Sequence, residues 1–450
     1  MSGARLAVVG AGVAGAMAAH ELRAQGHHVT VFEANDWIGG RARTVRRNGF
    51  MFDTGAVGLL GSYDLTKTVA ESVGMGDQVL TIKPIGSVPR DGRLRQLDMG
   101  HPLRSFLKTD LLSFRSKLKL WKVAADARKL SSAMDYEQVA SLVEHDTESV
   151  RDYSLRELNE ELYQYLTGTL VRGAWLAPPE GASVAQFFWT AKHFTPHMYS
   201  LVGGMDSLPT RLLEGSEVRL NTAVANVERS DAGVVVTYGG DMGEQTDVFD
   251  GCVIAAPPRN ALELYPQLQG PQRRFFESAE YSQSVNVHLG LSRATAHPEM
   301  YVMVPERECA DVTTIFLDHH KAPDRAPAGK GIISVFMRAG WCADNWETPD
   351  DRVISQVVEH LRPWFGDLEP LLEDVLVQRW ENCALMVKPG AFRLMAEADR
   401  AVDPNDPVQF AGDYAPFSSV NTSILSGRKA ASRLNGSLSG RLGAHAAVAL

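Results

Sequence analysis

The 450-residue sequence predicts an α/β fold: a discontinuous Rossmann-like domain joined to an α+β domain that carries a helical insert. Three observations predict it. Residues 5–55 read as strand, glycine turn, helix, strand, acidic residue and second glycine turn. Two later blocks, 201–260 and 376–436, return to short apolar strands and glycine-containing turns. The segments between them read differently: 61–200 as mostly helical, with amphipathic runs at 105–130 and 135–170, and 261–375 as a mixture of strands and helices.

Arg5-Leu-Ala-Val-Val9 is a short apolar run suited to a parallel strand buried on both faces. Gly10-Ala-Gly12-Val-Ala-Gly15 follows at once. Gly10 makes the tight turn, Gly12 lets a diphosphate approach the backbone, and Gly15 lets the next helix lie close on the strand. That helix, from Val13 to Gln25, is alanine-rich and stops at Gly26; His28-Val-Thr-Val-Phe32 is the next strand and ends at Glu33. The helix N-terminus turns N–H groups and partial positive charge toward phosphates. Glu33 can accept hydrogen bonds from a ribose 2′-hydroxyl and would repel a 2′-phosphate. In a chain with 39 glycines a lone GxGxxG says little. The βαβ context and the terminal acid make it an adenosine-diphosphate site.

Ile38-Gly-Gly40-Arg41-Ala-Arg43-Thr44 begins five residues after Glu33, and Gly49-Phe50 and Phe52-Asp53-Thr54-Gly55 follow. Two adjacent glycines and two arginines at i and i+2 make a second backbone-and-guanidinium clamp for a diphosphate. A simple nicotinamide domain has no need of one. At this point the chain resembles the flavin-containing amine oxidase superfamily, which includes monoamine oxidases, protoporphyrinogen oxidases and phytoene desaturases. Its members carry GxGxxG, then an acid, then GGR.R(T/S), then a D.G element.

The resemblance implies an FAD-binding domain made of 1–60, 201–260 and 376–436, a substrate-binding domain made of 61–200 and 261–375, and a flexible tail at 437–450. It places the flavin ring at the junction. It implies that Gly10, Gly12, Gly15, Glu33, Gly40, Arg41 and Arg43 hold the diphosphate and ribose, with the backbone of Val224 at the adenine. Gly412 and Asp413, in Phe-Ala-Gly-Asp, are implied at the ribitol, Ser419 and Val420 at the pyrimidine edge, and Thr54, Gly55, Ala56 and Val57 beside the ring. The FAD is expected to be noncovalent. The cysteine that would carry it belongs near Pro389-Gly390, and the nearest, Cys383, is out of place.

Amine oxidases of the family place a lysine on a strand near flavin N5. The matching strand, Gln283 to Gly290, has none, and Val287 stands in that place. Ser419 falls at the second position of the aromatic amine cage. Ser200–Pro209, Trp380-Glu-Asn-Cys-Ala and Lys388-Pro-Gly390 resemble the protoporphyrinogen oxidase branch, which manages without the lysine. The resemblance therefore implies an FAD-dependent oxidoreductase, an oxidase or desaturase. It would pass hydride from an apolar, cyclic or amino-acid-derived small molecule to flavin N5, with O2 or another electron acceptor. The alternatives are an amine or amino-acid oxidase with a substitute for the lysine, and a redox-neutral isomerase. Trp380, His288 and Asn286 are the candidate catalytic residues. Trp175, Phe187, Phe188, Trp189, Phe194, Tyr199 and Tyr414 are candidate substrate contacts, each set against the commoner fate of an aromatic in the core.

Net charge of −9 and a pI near 5.8 exclude general nucleic-acid affinity. No window reaches 18 apolar residues, so no transmembrane helix is expected. The first strand starts within five residues, which leaves no room for a leader. Cys252, Cys309, Cys342 and Cys383 show no ligand spacing, and His319-His320 has no partners, so no metal site is expected. Scattered thiols suit a cytoplasmic biosynthetic enzyme. A basic run from Arg104 to Lys129 reads as a solvated helix face, with peripheral membrane contact or an anionic ligand as alternatives. Composition leaves the oligomeric state open.

Overall fold

The computed structural model describes residues 3–98, 100–130, 139–193, 195–240, 243–414 and 416–448. A five-stranded parallel sheet runs Glu217–Arg219, His28–Phe32, Arg5–Val9, Gly251–Ile254 and Val408–Phe410 in spatial order. Its central strands are apolar along their length because both faces are covered. On one face the helix Val13–Ala24 packs against the long helix Val420–Val448. Gly427 makes that contact close: a Cβ there would lie 2.4 Å from the carbonyl oxygen of Ala14. The last helix runs on through Gly436 as far as Val448, over most of the segment expected as a tail; residues 449 and 450 lie outside the described set.

The second sheet has seven strands, in the order Leu372–Trp380, Ser284–Leu291, Gly331–Met337, Val312–Leu317, Tyr301–Met303, Ile85–Arg90 and Arg93–Asp98. Alternation sorts its side chains. Val285, Val287, Leu289, Ile315 and Val335 face the helix Asp350–Phe365 and form a core with its Val353, Val357 and Leu361. The opposite face of the Ser284–Leu291 strand carries Asn286, His288 and Gly290. It meets the hairpin Thr44–Arg47/Phe50–Asp53, with Phe52 and His288 ring centres 6.0 Å apart.

The expected hairpin around Ser230–Gly233 is present, joining Ala223–Ser230 to Gly233–Gly240. The strands expected at Ser284–Leu291 and Gly331–Met337 have those bounds. Residues 60–200 depart from the expectation. Val79–Ile82, Ile85–Arg90 and Arg93–Asp98 are strands: the first two pair with partners far along the chain, and the third closes a hairpin on the second. The run expected as one amphipathic stretch over 135–170 is broken into short helices after His145, with a π-helical turn at Tyr163–Thr167; residues 131–138 lie outside the described set. Leu158 ends one helix and Asn159 caps the next through its side chain.

Candidate active site

A cavity of about 830 Å³ lies between the two sheets. Its first end is made largely of backbone. Gly10 sits at φ +102°, and the helix Val13–Ala24 starts at the wall with Gly12 as an N-cap that offers no side chain. The first N–H groups of that helix are therefore open to a ligand, with the positive end of its dipole behind them. The nearest atom to a Cβ placed on Gly12 would be Gly40 Cα, at 3.9 Å, so the space this glycine leaves belongs to the cavity. Gly15 does another job. A Cβ there would lie 1.9 Å from the carbonyl oxygen of Gly10, and the residue stands off the cavity under the turn.

Glu33 and Val224 line the same end. The Glu33 carboxylate accepts from the backbone N–H of Ala11 at 2.8 Å and of Asn35 at 2.9 Å, which fixes its place at the strand end. Val224 lies at a bulge in its strand, where pairing shifts register before Asn226.

Midway, Gly40, Arg41, Gly412, Asp413, Ser419 and Val420 line the wall. Arg41 holds Asp413 with two hydrogen bonds, 2.6 and 2.7 Å, and the Tyr281 hydroxyl donates to Asp413 at 2.8 Å. Burial pushes the Asp413 carboxyl up, but the Arg41 guanidinium outweighs this and holds it below the usual carboxylate range. Arg43 lies off the cavity. Its guanidinium stacks 3.8 Å over the Trp37 ring and donates to Gln378, so it supports the wall through Trp37. Ser419 caps the last helix by accepting from the Thr422 N–H at 3.0 Å.

Gly55, Ala56 and Val57 also line the cavity, while Thr54 is fully buried behind them. Three side chains hold this segment. Asn286 Nδ2 and Trp380 Nε1 both donate to the Thr54 carbonyl, at 2.9 and 2.7 Å, and Lys321 Nζ donates to the Val57 carbonyl at 2.7 Å. Trp380 presents its ring to the cavity; Asn286 does not reach it. Lys321 belongs to a buried ion cluster with Asp53, Asp318 and Arg325, which no spacing in the sequence marks. His288 lies at the edge of that cluster, not on the cavity. The Ser334 hydroxyl donates to Asp318, so His288 Nδ1 donates to Ser334, at 2.7 Å. Burial holds its imidazole down at about 4 and therefore neutral. Val287 points into the core against the Asp350–Phe365 helix. The strand face turned toward Thr54 carries Asn286 instead, one residue from the position expected for the missing lysine.

The far end of the cavity is apolar. Tyr301, Met303, Thr314, Phe316 and Phe336 come from three adjacent strands, with Trp175, Met198 and Leu60 opposite. Phe316 and Phe336 meet edge-on at 5.7 Å. Every charged lining residue, Glu33, Arg41, Glu263, Glu381 and Asp413, lies outside this group. Of the aromatics expected at the substrate, Trp175 lines the cavity. Phe187, Phe188, Trp189, Tyr199 and Tyr414 are in the core, and Phe194 is outside the described residues. The strand signal that could have found the far wall is the spacing of two: 301 with 303, and 314 with 316, on the face opposite Val302 and Ile315.

These residues fit FAD. An uncapped glycine helix start, an acid at the strand end and a half-buried Arg–Asp pair lie along one wall, and the apolar end lies beyond. Cys383 lines the cavity, but burial pushes its thiol up to about 11, so it stays protonated and is a poor nucleophile for a covalent flavin link. Among the described residues no cluster of histidine, cysteine or carboxylate side chains could hold a metal ion.

The family model for flavin containing amine oxidoreductase matches residues 13–435. Protoporphyrinogen oxidase 2, chloroplastic/mitochondrial, of Arabidopsis thaliana is 24% identical, with 96% of this chain and 94% of that one covered. An L-amino-acid oxidase of Crotalus adamanteus is 23% identical, covering 96% and 87%. The structure of cyclohexylamine oxidase from Brevibacterium oxydans superposes with a TM-score of 0.76 at 17% identity, over 97% of this chain and all of that one. The glycine turns, the acid, the Arg–Asp pair and the family match together make this chain a member of the flavin-containing amine oxidoreductase family and an FAD-dependent oxidoreductase.

Proposed function

We propose that the protein oxidises or desaturates an uncharged, apolar, ring-bearing small molecule, at the end of the cavity walled by Tyr301, Phe316 and Phe336. The observation that carries this is the makeup of that wall: none of the five charged lining residues, Glu33, Arg41, Glu263, Glu381 and Asp413, belongs to the three strands that supply Tyr301, Phe316 and Phe336. A carboxylate or ammonium brought to the far end would lose water and meet no partner, at a cost of several kcal/mol. That weighs against an amino acid as the substrate. It leaves apolar or cyclic molecules, including those derived from amino acids and carrying no charge.

FAD, when bound, supplies N5 as the hydride acceptor. The chain's own residues supply position and dryness. Asn286, Trp380 and Lys321 hold Thr54–Val57 as a fixed edge, and Trp380 also lines the cavity there. The small side chain of Ala56 leaves room for close approach, while Gly55 lets the segment lie against the Arg41 backbone, where a Cβ would stand 2.1 Å from the carbonyl oxygen. His288 is buried off the cavity and bonded to Ser334, so it serves the scaffold and not proton transfer. No charged side chain at the far end could act as general base, which suits a substrate whose oxidation needs no amine deprotonation.

The proposed division follows the cavity. Segments 1–60, 201–260 and 376–436 would hold FAD, and 61–200 with 261–375 would hold substrate. Residual electrons would pass to O2 or another acceptor, and four free thiols suit a cytoplasmic setting. Purified protein loaded with FAD should lose its yellow colour under anaerobic titration with neutral alicyclic or macrocyclic compounds. Bleaching by charged amino acids alone, with every neutral compound inert, would overturn the reading.

A further inference from the structure

Seven large apolar side chains stand exposed among the described residues, and four of them belong to two successive helices, Pro102–Lys108 and Phe114–Leu130. They are Leu107, Phe114, Leu118 and Trp121, at 62, 74, 56 and 69% exposure. Phe114, Leu118 and Trp121 are spaced i, i+4, i+7, so they form one stripe. The stripe is not the helix's packing face. Leu120, Val123, Ala127 and Leu130 pack on the core from the opposite side, and Ser116 is buried there. The helix thus has two apolar faces, one with a partner and one without.

The bare stripe is bordered by charge of one sign. By helical spacing Arg115 and Lys129 lie along one side, and Lys117 and Arg128 along the other; Lys122, beside Arg115, is tied to Asp126 and Glu157. Residues 101–130 contain eight lysines and arginines against two aspartates, in a chain whose net charge is −9. One of the aspartates, Asp126, is turned to Lys122 and the Tyr153 hydroxyl. An aromatic and leucine stripe between two basic borders is the pattern of a helix lying in a lipid interface. No described helix is long and apolar enough to cross a membrane. Two such faces from two copies would set like charges against each other, which disfavours a self-dimer through this face.

We propose that the Phe114–Leu130 helix docks the protein flat on an anionic lipid bilayer. Phe114, Leu118 and Trp121 enter the acyl boundary and the flanking lysines and arginines meet the headgroups. The same helix packs on Val184–His193, whose Thr190 lines the apolar end of the cavity. Docking therefore brings that end toward the phase in which apolar molecules accumulate. The docking face stands independently of the substrate reading.

The test is co-sedimentation of the FAD-loaded full chain with vesicles of phosphatidylcholine alone, or with about a third phosphatidylglycerol. Binding to the anionic vesicles should be roughly tenfold tighter or more, and should weaken with added salt. F114S/L118S/W121S should abolish it, and R115E/K129E should weaken it, both with flavin absorbance and melting temperature kept because these side chains are exposed. Three outcomes overturn the proposal: no vesicle binding by the parent, equal binding to neutral and anionic vesicles, or unchanged binding by the triple variant. A concentration-dependent dimer in solution that the triple variant abolishes also overturns it, by giving the stripe to a second copy.

Discussion

At the Glu33 end of the cavity much of the wall is backbone: a glycine turn, the open N–H groups of a helix start and a bulged strand, with a carboxylate at the strand end. At the Phe336 end the wall is side chain. Rings and one thioether from strands that begin at residues 301, 312 and 331 stand together on one sheet face. A diphosphate is recognised by N–H groups and dipoles that a turn of a few residues can supply. An apolar substrate is recognised by shape and by freedom from water, which needs a surface, and a surface is assembled from distant segments. The first end can keep its chemistry while the second is rebuilt.

The comparison can be broken most severely at Gly15. Gly15→Ala sets a methyl 1.9 Å from the Gly10 carbonyl oxygen, and should cost about 3 kcal/mol or more of stability together with FAD, as read by denaturant unfolding. Gly12→Ala should leave the stability of the flavin-free protein within about 1 kcal/mol, yet weaken FAD binding at least roughly tenfold, because its methyl enters ligand space. Equal destabilisation of the flavin-free protein by the two would show that the turn is built for packing alone.

Asp413→Ala leaves Arg41 facing the cavity without its partner. Because the Arg41 side chain is 29% exposed, the loss should be about 2 kcal/mol and not the full value for a buried charge. Most of the bound FAD should go with it, measured by flavin fluorescence after gel filtration. At the other end, Thr314→Asp should keep FAD and lower kcat/KM for a neutral substrate by roughly a hundredfold, since it places a charge where no partner lies. If it cost FAD instead, the two ends would not be separable. Trp380→Phe removes one of two donors to the Thr54 carbonyl while keeping a ring on the wall. A fall in kcat/KM of roughly tenfold, with FAD affinity unchanged, is expected.

The smallest effect at neutral pH is at His288. Its folded pKa is lowered from 6.5 to about 4, so the unfolded chain takes up the proton first. Stability should fall as pH drops from about 6.5 to about 4 and then level off for this group. His288→Gln should flatten that limb of a melting-temperature profile and change stability little at pH 7. An unchanged acid limb would remove His288 as its source.

Residues 5–55 were legible because turn, helix start and acid are contiguous, and each residue type has one physical reason to stand where it does. Asp413 was legible by resemblance, but its pairing with Arg41 and Tyr281 was not, since a hydrogen bond across 372 residues leaves no local pattern. Arg43 shows the limit of spacing. Two residues beyond Arg41, it stacks on Trp37 and stands behind the wall. Val287 shows another limit. A strand's two faces differ by one residue, and which face meets the Thr54 turn is set by the helix that claims the other.

The sequence by itself determined the glycine-turn end of the cavity, because backbone turns are written in glycines and the acids and arginines beside them. Only the tertiary structure decided the apolar end and the buried cluster of Asp53, Asp318, Lys321 and Arg325. An apolar side chain reads the same in a core as in a pocket wall. A buried charge declares itself only when the chain brings its partner within about 3 Å.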